Sequence, residues 1–207
     1  MKSFILIFSA FISVSSFAQE DDWTSYGKDT GGGHYSKASE INPNNVKKLE
    51  NVWTHRSGDY KGGANAAGVK GDQLQTNFQA TPLLVDETLF YCTPYNRVFA
   101  LNPETGEEKW VFDPKIKTNG RAILTCRGLS SWKDKTKSPG DKCFHRIIGA
   151  TVDAELFSID GSNGELCEDF GSKGRVDLRE GLGEHPDLYY WSTSPPAIIN
   201  ESLIVGG

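Results

Sequence analysis

The chain has 207 residues, 37% of them hydrophobic and 24% charged, with a formal net charge of −5. That apolar content supports a folded core and excludes a low-complexity disordered segment. The lysines are scattered and form no basic run, so nucleic acid is not expected as a partner.

Residues 1–18 read as a secretory signal. Lys2 is the charged start, Phe4–Phe17 is apolar, and Ser16-Phe17-Ala18 places small residues at the positions that a signal peptidase inspects. An apolar stretch of about 14 residues is short for a bilayer span. Loss of Lys2 with this leader makes the mature chain one charge more acidic than −5. Residues 19–207 then form the exported domain.

Trp23–Tyr35 (WTSYGKDTGGGHY) alternates aromatics with a glycine cluster and matches neither a phosphate-binding nor a dinucleotide-binding glycine motif. A short helical turn is expected over Asn44–Leu49 and a strand over Asn51–His55. Tyr60–Gln75, rich in Gly, Ala and Asn, reads as a surface loop that lies over one face of the fold.

From Thr81 onward the chain repeats. Glu87–Phe112 lies over His145–Phe170 without a gap, 58 positions further on: Thr93 meets Thr151, Phe99 meets Phe157, Gly106 meets Gly164 and Phe112 meets Phe170. Within one copy, Pro82–Val85, Leu89–Thr93, Val98–Leu101 and Lys109–Phe112 read as four short strands. They are separated by Asp86-Glu87, Pro94–Asn96 and Asn102–Gly106, whose residues favour chain reversal. Four antiparallel strands make one propeller blade, and a lone blade cannot bury both faces, so blades must stack about an axis. In the second copy Glu168 stands where the first has Trp110. A third copy begins at Pro196, with Glu201 and Leu203 over Glu87 and Leu89, and the sequence ends at Gly207. Closed propellers need roughly 4–8 blades. The expectation is an all-β N-terminal fragment of about two blades plus the start of a third.

In an exported chain, four cysteines point to disulfides. Cys92, Cys126, Cys143 and Cys167 allow three pairings. The favoured one is Cys126 with Cys143, because the two flank a polar insert (SSWKDKTKSPGDK) outside the strand pattern; closing a loop of that length contributes roughly 3 kcal/mol. His34, His55, His145 and His185 show no metal-ligand spacing, and Asp160–Asp169 lacks the alternating acids of a calcium loop. Propellers place their sites at the axis, where polar residues ahead of each blade converge. Gln79 and Thr81 precede the first copy, Arg127 lies between copies, and Thr193 and Ser194 precede the third.

FQATPLLV, CTPYNRVFALNPETGEEKW, TCRGLSSW and TSPPAII follow one another in order. This set resembles the quinoprotein dehydrogenases that use pyrroloquinoline quinone (PQQ), with the membrane-type glucose dehydrogenase branch nearest, a branch that includes polyol and quinate enzymes. The resemblance covers Trp23–Gly207. It implies an eight-bladed propeller that oxidises a sugar, polyol or related alcohol, with calcium beside the quinone. It assigns cofactor contacts to Gln79, Arg127, Thr193 and Tyr95, where glucose-oxidising relatives often carry histidine at the Tyr95 place. It puts the catalytic aspartate, its cationic partner and the calcium ligands in later blades, so that none is expected within these residues and the 207-residue piece alone should be inactive. It implies a periplasmic enzyme, soluble or peripherally attached to the membrane, that passes electrons to ubiquinone or cytochrome c. The alternative is a non-catalytic propeller scaffold of the outer-membrane assembly type.

Overall fold

The computed structural model describes residues 22–29, 31–61, 75–118, 123–184 and 190–206. The signal at 1–18, most of the Tyr60–Gln75 loop and His185 fall outside them. Among the described residues no helix is long and apolar enough to cross a membrane. The single helical element among the described residues is a 3-10 turn at Val46–Lys48.

Apolar alternation and turn chemistry set the strands. Strand β1 is Gln75–Thr81. The first blade follows as β2 (Leu83–Val85), β3 (Thr88–Cys92), β4 (Val98–Leu101) and β5 (Glu108–Phe112), an antiparallel sheet in that order. Asp86 and Glu87 both take positive φ, 46° and 55°, the conformation a two-residue hairpin needs to match strand twist. Strand β6 is Ile123–Gly128 and pairs with β1 in parallel. The second blade comprises β7 (Ser130–Lys133), β8 (His145–Ala150), β9 (Glu155–Asp160) and β10 (Arg175–Asp177), paired in sequence. A hairpin of β11 (Ala197–Ile199) and β12 (Ser202–Ile204) opens the third unit.

The core lies between the two blades. Leu83, Val85, Phe90, Val98 and Ala100 of the first form one buried cluster with Leu129, Ile147, Phe157 and Ile159 on the second side. Buried Asn96 stitches the same seam: its amide donates to the Ala150 carbonyl and its oxygen accepts from the Val152 N–H.

A tryptophan locks the seam between the two blades. The Trp110 Nε1–H donates to the Gly161 carbonyl at 3.2 Å, and its ring covers Gly164, where an added Cβ would stand 2.6 Å from the indole. Gly164 has φ +77°, so glycine is required there on both counts. Trp53 makes the same contact one unit earlier, donating to the Pro103 carbonyl and lying over Gly106, which has φ +72°. Ring pairs repeat as well: His55 packs on Phe99 at 4.9 Å, and Phe112 packs on Phe157 at 5.0 Å. Asn51–His55 therefore occupies the place that β5 occupies one unit on, although it pairs with no strand among the described residues.

Three expectations are corrected. Part of the polar insert, Ser130–Lys133, is the inner strand β7. Its hydroxyls are spent inside the fold, Ser130 Oγ on the Pro196 carbonyl and Ser131 Oγ on His145 Nε2, so its polarity disguised it. The fourth strand of the second blade is not the stretch matching β5. Around Cys167 the chain bonds back to Cys143, and Asp169 forks onto Arg146 at 2.8 and 2.6 Å; this hydrogen bonding holds the Asp169 carboxyl down at about 2. Strand β10 closes the sheet instead. Finally, Cys126 does not pair with Cys143. The bonds are Cys92–Cys126 and Cys143–Cys167. The four residues of β7 carry the chain roughly 13 Å onward before the turn that holds Cys143, beyond the disulfide reach of about 7 Å between Cα atoms.

Two outcomes follow. Trp110→Ala should cost about 3 kcal/mol, measured by chemical denaturation, since it empties an interblade contact and orphans a carbonyl. His145 lies partly buried in the same seam, and burial holds its imidazole below its ordinary range, against a smaller opposing pull from Asp86. A depressed histidine contributes stability above the unfolded value of about 6.5, and that stability is lost as pH falls toward the lower folded value. His145→Gln should flatten the decline of melting temperature between pH 7 and 5.

Candidate functional site

The parallel pair β1–β6 carries two of the residues singled out by sequence. Its register runs from Gln75 opposite Ile123 to Phe78 opposite Cys126, then slips before Thr81 meets Gly128. The slip frees Gln79 from the ladder and sets it beside Arg127. The Gln79 Oε1 accepts from the Arg127 Nε–H and from the Thr125 hydroxyl, each at 3.3 Å. The Arg127 backbone N–H donates to the Thr193 carbonyl at 2.8 Å, which ties the start of the third unit to β6.

These residues border an open cleft of about 920 Å³. It is lined by Gln79, Arg127, Ser130 and Ser131, by Ser194–Ile199, and by Thr24–Asp29 of the leader. The leader is held there by a backbone bridge in which Trp23 and Leu84 exchange both hydrogen bonds. Arg127 is exposed, and no hydrogen bond or ion pair engages its two terminal nitrogens among the described residues. The Gln79 amide nitrogen is likewise uncommitted among them. The donors of Arg127 and Gln79 therefore share a cleft with Pro195, Pro196, Ala197 and Ile198. That arrangement suits a flat ligand with an anionic edge.

Gln79 and Arg127 thus share one site. Thr193 joins it through its carbonyl, while its neighbour Ser194 lines the cleft. Tyr95 does not line it. It sits in the β3–β4 turn on a second cleft with Asp59, Arg97 and Asp113, its hydroxyl buried without a partner and Lys61 Nζ 5.6 Å from its ring. Sequence reasoning missed Ser130, Ser131, Ser25 and Lys28. The serines lay in what read as an insert, and no spacing signal marks the leader residues. Among the described residues the one cluster with three potential metal ligands is Cys143, Cys167 and Asp169, and its sulfurs are joined as a disulfide.

A family model described as PQQ: glucose/ethanol/alcohol dehydrogenase, beta-propeller domain, matches residues 23–207. The chain is similar to a quinoprotein glucose dehydrogenase of Escherichia coli, with 34% identity over 91% of this chain and 23% of the relative. It is also similar to a quinate/shikimate dehydrogenase (quinone) of Acinetobacter baylyi, with 31% identity over 94% and 25%. It thus spans about a quarter of the length of the curated relatives it matches. Among solved structures, the quinohemoprotein alcohol dehydrogenase of Comamonas testosteroni superposes with a TM-score of 0.65 at 22% identity, over 89% of this chain and 23% of that one.

Proposed function

The chain belongs to the PQQ-type glucose/ethanol/alcohol dehydrogenase β-propeller family, and on that premise we propose that its Arg127 cleft holds part of a pyrroloquinoline quinone. The observation that carries this reading is the uncommitted guanidinium of Arg127, braced through Nε by Gln79. PQQ is flat and carries three carboxylates, which suits donors that share a cleft with Pro195 and Pro196. Arg127 takes a cofactor carboxylate and Gln79 offers its amide nitrogen. Ser194, whose segment is fixed by the Thr193 carbonyl, lines the same cleft and would help to hold the cofactor. Gln79 adds no charge beside an anionic ligand, whereas a carboxylate there would repel it.

When bound, the quinone supplies two-electron oxidation of a carbinol carbon. These residues bind and orient it; the base and the calcium ligands belong to other blades of the complete propeller. The reaction is oxidation of a sugar, polyol or related alcohol, in the periplasm, with ubiquinone or cytochrome c as acceptor. Tyr95, on its separate cleft, is left out of the cofactor cradle. A non-catalytic scaffold has no use for an unpaired arginine in an open cleft.

A charge-assisted bond of this kind contributes about 1.5–3 kcal/mol. Apo-protein expressed with its complete reading frame should quench its tryptophan fluorescence on PQQ addition. Arg127→Ala should raise the Kd roughly 10- to 150-fold at unchanged melting temperature. An unchanged Kd would remove Arg127 from the site, and no PQQ binding by the wild type would remove the function.

A further inference from the structure

We propose that the Cys92–Cys126 disulfide is a positioning brace for Arg127, and that it contributes to cofactor binding as well as to stability. The inference rests on the reading of the Arg127 cleft as a PQQ site.

Arg127 sits on a weakly held strand. Among the described residues β6 pairs with β1 alone, in parallel geometry, which is slightly less stable per residue than antiparallel pairing. That ladder slips between Phe78 and Thr81, opposite the Cys126–Gly128 end of β6. Besides the β1 ladder, which resumes at Thr81 opposite Gly128, the backbone at Arg127 is tied by a bond to the Thr193 carbonyl. The residue immediately before Arg127 is Cys126. Its sulfur is bonded to Cys92, with the Cα atoms 6.0 Å apart. Cys92 ends β3, which is paired on both sides within the four-stranded first blade. Both cysteines are buried, at 1% and 3% exposure, within the interblade core. The bridge therefore carries the rigidity of the first blade to the residue that precedes the arginine.

The second disulfide is an internal control. Cys143–Cys167 joins two turn regions of the second blade, and neither residue lines the cleft. The sequence separations are 34 and 24 residues. Chain-entropy stabilisation depends only on the logarithm of loop length, so the two bridges should stabilise the fold to a similar extent. Cofactor affinity is where they should part.

The test uses the complete protein and titrates PQQ into the apo form, following tryptophan fluorescence, with melting temperature measured in parallel. Cys92→Ala with Cys126→Ala should raise the PQQ Kd tenfold or more. Cys143→Ala with Cys167→Ala should leave it within twofold, while both pairs lower the melting temperature comparably. Arg127→Ala placed on the Cys92/Cys126 variant should weaken binding far less than it does in the wild type, since the brace acts through that arginine. If the alanine pair does not fold, Cys92→Val with Cys126→Val refills the buried space and carries the same comparison. An unchanged Kd in a folded Cys92/Cys126 variant overturns the brace, as does an equal rise for both disulfide variants. Failure of the wild type to bind PQQ overturns the functional reading instead.

Discussion

The ring of Trp110 rests on a bare backbone at Gly164 while its N–H bonds to the carbonyl of Gly161, and Trp53 repeats this on Gly106 and Pro103. This contact couples three things at once. It fixes the distance between neighbouring blades, because a Cβ on either glycine would drive the indole away. It satisfies a carbonyl in the turn that follows β9, as Trp53 does in the turn that follows β4. It also recurs at a spacing that keeps Phe112 on Phe157 just as His55 sits on Phe99. Aromatic burial is the largest single contributor to such a seam, and the fully buried aliphatics of the core lie directly behind it.

The cleft depends on that spacing. β1 and β6 enter successive blades and run parallel because the two blades are held side by side in the same sense. Where their ladder slips, Gln79 turns onto Arg127. The backbone of Arg127 reaches the third unit through Thr193, so a single residue touches elements from all three repeats. The site is thus made by the intervals between repeats, and the repeats provide its rigidity.

This division explains what was legible in the sequence. All four strands of the first blade could be read from apolar alternation and from turn residues such as Asp86-Glu87 and Asn102–Gly106. The β11–β12 hairpin followed from the third copy. Gln79 and Arg127 were identifiable because they precede or separate copies, and the order of FQATP, TCRG and TSPP reinforced them. The second blade was harder. Its first strand, Ser130–Lys133, is polar because Ser130 and Ser131 bond inward, and no periodicity records that. Its fourth strand was displaced by a disulfide and an Arg146–Asp169 pair whose partners are far apart in sequence. The parallel pairing of β1 with β6 left no mark because it joins strands 48 positions apart, as Gln75 with Ile123. Cysteine pairing failed for the same reason: spacing along the chain suggested Cys126 with Cys143, whereas sheet geometry brings Cys92 to Cys126.

In the function proposed above, Arg127, braced by Gln79 and tied through its backbone to Thr193, presents its free guanidinium edge to one flat anionic cofactor. The most direct measurement is a crystal structure of the complete protein grown with PQQ. The account predicts quinone density beside Pro195 and Pro196, with a carboxylate within about 3 Å of the Arg127 terminal nitrogens. Quinone density elsewhere, with Arg127 still in contact only with Gln79, would contradict it.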